Sequence, residues 1–161
     1  MMTNRAQQNL RLFGLAIVAA LFSGTPIPYW MDLIRPELLL LIVLWLTLHN
    51  EKHNVLTIAW IAGLTMDAFH GSILGENALG YVAIAYLMRR YYQRIRAFPT
   101  LHQTLVIFVF LVIEEFIVFW IDGLTGRPLT IWTRWLETVS TAALWPWACR
   151  YIPIWIKRPM L

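Results

Sequence analysis

Four places in this 161-residue chain set ionisable side chains where they could do chemistry. The first is the run Gly63-Leu-Thr-Met-Asp67-Ala-Phe-His-Gly71-Ser-Ile-Leu-Gly75, in which Gly63, Asp67, Gly71 and Gly75 recur every four residues and Ala59 extends the series backwards. While the segment stays helical, that spacing makes a narrow ridge of small side chains that another backbone can approach closely. A carboxylate on such a ridge, near hydrocarbon, is costly unless it faces protein, water or a cation. Asp67 is therefore part of an ion or proton relay or a partner contact, or else a structural carboxylate bonded to backbone amides of the Gly71 to Gly75 turn. The second place is the pair Glu114 and Glu115, in the middle of an apolar stretch. Adjacent residues sit about 100° apart on a helix, so the two cannot both face one buried partner. At least one should point into the bundle or a polar cavity, as a hydrogen-bond hub or as the proton carrier of a transporter. No Arg or Lys inside the membrane is expected to pair with them, which favours the hub. The third is Arg35-Pro36-Glu37, where Arg35 could grip a lipid phosphate or a partner's carboxylate, or simply snorkel to headgroups. The fourth is His49 and His53, four apart as metal ligands on a helix would be. Their surroundings read as loop and supply no third ligand, so no metal site is expected.

The elements that must position these residues are apolar and membrane-like. The chain is 59% apolar and 14% charged, against about half apolar and a quarter charged in soluble domains. Arg, Lys, Asn, Pro and Gly cluster between apolar stretches and do not form one face of each, which is how membrane spans are punctuated. Six stretches stand out: Leu10 to Trp30, Pro36 to Leu48, Val55 to Phe69, Leu74 to Met88, Leu101 to Ile121, and Ile131 to Ile156. The expectation is an all-α polytopic membrane protein of six transmembrane helices, forming one integral-membrane domain over 1–161. Only the first, fifth and sixth stretches reach the roughly 20 residues that cross about 30 Å of hydrocarbon. The others need thinning, flanking polar residues or shielding by other helices. Pro146, inside Trp145-Pro146-Trp147, should kink the sixth.

Basic residues orient the whole. With a cytoplasmic N-terminus and six alternating spans, Arg5, Arg11, Lys52, Arg89, Arg90, Arg94, Arg96, Arg150, Lys157 and Arg158 fall inside, and Arg35, Arg127 and Arg134 fall outside. The positive-inside rule then puts both termini in the cytoplasm of a bacterial inner membrane. The first stretch lacks a small-x-small cleavage site and is read as a retained span. The net charge of +4 lies between apolar segments and forms no basic patch interleaved with aromatics, so nucleic acid is not an expected partner. The lone Cys149 excludes an internal disulfide. No P-loop, nucleophile elbow, CxxC pair or dinucleotide fingerprint is present, and the outer loops are too short for a polymerase site, so neither catalysis nor a cofactor is expected.

The order of short motifs resembles the MreD family of rod-shape-determining membrane proteins. The likeness starts at Arg35-Pro36 and Leu38-Leu-Leu-Leu-Ile-Val-Leu-Trp45. It continues through His53-Asn54-Val55, Gly63-x-x-x-Asp67-x-x-x-Gly71-Ser72-x-Leu74-Gly75, Ala78-Leu79 and Ala85-Tyr86-Leu87. It ends with Leu101-x-Gln103-x-Leu105-Val106, Glu115, Phe119-Trp120 and Leu144-Trp145-Pro146-Trp147. The N-terminal dozen residues and the loop from Asp122 to Thr130 carry no such signature. The resemblance implies a non-catalytic subunit of the bacterial elongasome (Rod complex), which binds MreC and supports lateral peptidoglycan synthesis and rod cell shape. In that complex it would join RodA, a class B penicillin-binding transpeptidase, RodZ and MreB. It also implies a fold similar to the six-helix substrate-binding subunits of energy-coupling-factor transporters. That keeps open a small-molecule or lipid-binding transport subunit, with an outward pocket near Arg35, Asp67 and Glu76. The positions expected to be most sensitive are Arg35, Pro36, Gly63, Asp67, Gly71, Gly75, Glu115, Trp145 and Pro146.

Overall fold

The computed structural model describes residues 2–25, 28, 34–49, 54–126 and 131–157, with side chains described within 11–25, 28, 34–49, 54–126 and 134–153. These residues form helices α1 (Met2–Gly24), α2 (Leu38–His49), α3 (Val55–His70), α4 (Glu76–Ala97), α5 (Thr100–Thr125), α6 (Ile131–Ala143) and α7 (Trp145–Lys157), with no strand among them. The end of the first apolar stretch at Trp30, the histidine pair's His53 and the loop residues Arg127 and Pro128 lie outside the described residues.

Only α5, among the described helices, combines the length and apolarity to cross a membrane; Arg11–Gly24 of α1, α2 and α3 are shorter apolar helices. At 26 residues and 1.5 Å per residue, α5 runs about 39 Å. Its residues Leu101, Leu105, Val109, Phe116, Trp120 and Leu124 are all exposed. Their spacing of four and seven places them on one face, an outward apolar stripe running the length of the helix.

Helix α2 is the opposite case. All ten residues from Leu39 to Leu48 are buried, and the helix packs against α1, α3, α4 and α7. Its 12 residues span only about 18 Å. The short second stretch is therefore shielded by the chain's own helices. The fourth stretch differs from expectation, because α4 continues past Met88 to Ala97 and carries Arg89, Arg90, Arg94 and Arg96 in its last turns. The apolar pattern stops at Met88, but nothing there breaks a helix until Phe98 and Pro99.

The sixth stretch is two helices separated by Leu144. The Leu144 N–H reaches the carbonyls of Ser140 and Thr141, both at 3.2 Å, and the Ala148 N–H returns to the Leu144 carbonyl at 3.0 Å. The break is one residue wide, and it places Pro146 in the first turn of α7, where a missing N–H breaks no helical bond. The break turns Trp145 inward, where it is fully buried. Its indole N–H donates to Gln103 Oε1 of α5 at 3.4 Å, and Cys149 Sγ lies 3.8 Å from the same oxygen.

Candidate functional site

The starts of α2, α4 and α6 and the ends of α1, α3 and α5 meet at one end of the bundle, and most of the buried acidic groups collect there. Two arrangements occupy this end, and they differ in kind.

The first is built on Asp67, which is 1% exposed. Helix α3 stops at Gly71, whose φ of 61° is left-handed, a conformation glycine adopts without strain. The N–H groups of Gly71 and Ser72 both meet the Asp67 carbonyl. The chain then returns through Gly75, at φ 104°, to start α4. Into this turn the Asp67 carboxylate accepts four hydrogen bonds. They come from Gly75 N–H (2.7 Å), Asn77 N–H (2.8 Å), Asn77 Nδ2 (2.9 Å) and Ser72 Oγ (2.9 Å). Of the roles open to Asp67, this geometry is that of a structural carboxylate tying α3 to α4.

The four-residue ridge does not survive as drawn. Ala59, Gly63 and Asp67 share a buried helical face, but Gly71 and Gly75 lie beyond the helix end and serve the turn. Close backbone approach does occur at Gly63, where an added Cβ would overlap the Ala78 backbone of α4. The chain fills that approach itself, so Gly63 offers no free groove to another protein.

The second arrangement surrounds Arg134, at the start of α6. Its Nε is 2.8 Å from Glu115 Oε1, and its Nη1 lies 3.5 Å from Asp122 Oδ2 and 3.9 Å from Glu76 Oε1. The expectation that no Arg or Lys pairs with Glu114 and Glu115 is therefore corrected for Glu115. Arg134, read from sequence as an outer-surface charge, reaches down to it along α6. The signal lay in the sequence: Arg134, Glu137, Thr138 and Thr141 recur at i, i+3, i+4 and i+7, a polar stripe on a segment taken as uniformly apolar.

Beside this ion pair lies a small cavity with room for about one water molecule, lined by Glu37, Leu111, Glu114, Glu115, Arg134, Glu137, Thr138 and Thr141. Glu37 is held at its rim, its N–H on Thr141 Oγ1 at 2.9 Å and its Oε2 3.4 Å from the Tyr81 hydroxyl. Glu114 is 3% exposed, and its Oε1 has no hydrogen-bond partner. It packs on Gly80 of α4, where an added Cβ would stand 2.9 Å from that oxygen.

A search of family models matches residues 5–153 to "rod shape-determining protein MreD". The chain belongs to the MreD family. It is also similar to the rod shape-determining protein MreD of Haemophilus influenzae, at 26% identity over 149 residues, covering 91% of each chain. No solved structure matches it. The MreD match takes in α2 to α6 and most of α1 and α7, so both acidic arrangements lie inside the family region.

Among the remaining positions that the MreD resemblance singled out, Arg35 donates to the Thr25 carbonyl at 3.1 Å and to Thr25 Oγ1 at 3.2 Å, and lies 5.2 Å over the Phe22 ring. Together with Pro36, whose carbonyl receives the Leu38 N–H at 2.9 Å, it pins the start of α2 to the end of α1. Arg35, Asp67 and Glu76, grouped by the transport reading around one outward pocket, are each held in a different local contact, and none of them lines the cavity. Glu115 does line it. Trp145 and Pro146 lie apart from both arrangements, in the packing of α5 on α7. Sequence reasoning missed Glu37, Glu114 and Glu137 as companions, because they come from three separate segments.

Proposed function

We propose that the protein is a non-catalytic membrane subunit of the elongasome, or Rod complex, that binds MreC and supports lateral peptidoglycan synthesis and rod cell shape. Membership of the MreD family carries the role in cell shape. The observation that carries the binding role is the exposed stripe of α5, with Phe116, Phe119 and Trp120 toward one end. Within lipid, helices associate through van der Waals packing and interhelical hydrogen bonds, since burial from water offers no drive there. The small-residue face at Gly63 is consumed inside the bundle, and in this reading the membrane segment of MreC seats on the aromatic face of α5. Through MreC the subunit joins RodA, the class B penicillin-binding transpeptidase, RodZ and MreB. In this reading the helices make six passes across the inner membrane, with both termini in the cytoplasm and the acidic end of the bundle outward.

Mild-detergent purification of the tagged protein from its native membrane, followed by mass spectrometry after size exclusion, tests this. MreC should be recovered in near-equal amount and should fall severalfold for the double variant Phe116→Ala, Trp120→Ala. Recovery of ATPase and coupling subunits, or of a bound small molecule without MreC, would put the transport subunit in its place.

A further inference from the structure

We propose that the basic end of α4, centred on Arg90 and Arg94, binds the phosphodiester headgroup of an anionic membrane lipid. The proposal goes beyond the MreC reading and needs only that the chain lies in a membrane. Charge, depth and the apolar neighbours of the two arginines carry it.

From Asn77 to Ile113 the chain carries Arg89, Arg90, Arg94 and Arg96 and no Asp or Glu. The acids that bound this stretch, Glu76 and Glu114, lie about 20 Å along the helix axes from Arg90 and from the start of α5. That is beyond the range over which exposed charges act on each other in salt. In the loop from α2 to α3, Glu51 is followed by Lys52, so that loop brings no net negative charge. Arg90, Arg94 and Arg96 are exposed, and among the described residues none of the three pairs with a carboxylate. Their counter-charge therefore comes from outside the chain. Depth says what kind of anion it is. Leu79, Tyr86, Arg90 and Arg94 follow at intervals of seven and four and share one exposed face of α4. That face is apolar as far as Tyr86 and basic from Arg90, as a helix is where it passes from hydrocarbon into headgroups with a tyrosine at the boundary. Helix α5 runs back from the turn at Phe98 and Pro99 and packs on α4. Arg90 and Arg94 stand within about 12 Å of that turn along the axis, and so do Leu101 and Leu105, which begin the α5 stripe. Both leucines are exposed, as are Tyr91 and Phe98. An acidic protein surface would answer the arginines and leave the leucines uncovered. A lipid answers both, because its phosphodiester accepts from the guanidinium forks while its acyl chains cover the leucines. Arg90 and Arg94, one helical turn apart, are spaced to share a single phosphate. An anionic headgroup is favoured over a zwitterionic one, whose ammonium would enter the same basic field.

The test uses the whole protein in mild detergent, with dioleoyl phosphatidylglycerol and dioleoyl phosphatidylcholine competing at equal concentration and bound lipid counted by native mass spectrometry. The wild-type protein should retain the glycerol lipid on the order of tenfold more than the choline lipid. The double variant Arg90→Gln, Arg94→Gln should bring that ratio below about twofold. Arg150→Gln, which removes an exposed charge on α7, should leave it unchanged. Arg90→Lys, Arg94→Lys keeps the charge that orients α4 and should keep the preference, so this variant and the wild-type ratio decide the matter even where the neutral variant fails to fold. A wild-type ratio near one would overturn the site. So would a preference that survives in Arg90→Gln, Arg94→Gln, or one that falls equally in Arg150→Gln. In a final arm phosphatidylglycerol should raise Tm and soluble polyglutamate should not; an equal rise with both would replace the lipid with an acidic protein surface. None of these readouts involves MreC, so the lipid site and the MreC reading fail separately.

Discussion

Asp67 and Glu114 are both shielded from solvent, yet one is finished and the other is not. Four donors converge on Asp67, all of them contributed by the turn and by the first residues of α4. Its carboxylate is as fixed as a backbone group. Glu114 has an oxygen with no donor and a cavity beside it. Burial alone therefore does not mark an acidic residue as functional in this protein. What separates the two is whether the fold supplies the hydrogen-bond partners itself or leaves a place for something to bring them.

That contrast can be broken first at Asp67. Asp67→Leu strands four donors in a buried turn, and unfolding in mild detergent should show a loss of about 3–5 kcal/mol. A loss under 1 kcal/mol would mean that the turn stands without the carboxylate. The neighbouring backbone contact should come next. Gly63→Ala forces a methyl into the Ala78 backbone and should cost about 2–3 kcal/mol in the same assay. Gly71→Ala isolates conformation from space, because nothing lies within 4 Å of the Cβ it would add while φ stays at 61°. About 1 kcal/mol is expected there. The smallest effect belongs to Glu114→Gln. The amide keeps the shape and can donate as well as accept, so stability should change by less than about 1 kcal/mol, in either direction. A cost as large as that of Asp67→Leu would show Glu114 to be a structural carboxylate after all and erase the distinction.

Much of this was legible in the residues, and the failures have physical causes. The Gly71 to Gly75 turn and its link to Asp67 follow from glycines placed just after one apolar run and just before the next. The same glycines misled where their four-residue spacing was carried across a helix end, since periodicity has meaning only while the helix lasts. Glu115 stood out as a buried acid, but its cation was counted among the surface charges. Hydropathy averages over all sides of a helix, and the stripe from Arg134 to Thr141 covers only one side of α6. The cavity was beyond reach of any local reading, because Glu37, Glu114 and Glu137 are brought together only by packing α5 and α6 against the start of α2.

Helix α2 also bears on how such a chain is made. At 12 residues it is too short to hold itself across a bilayer, and its neighbours include α1, made before it, and α7, made last. Its place is therefore provisional during synthesis. Four helices pack around it, so its surroundings are complete only once Trp145–Lys157 has been made and has docked.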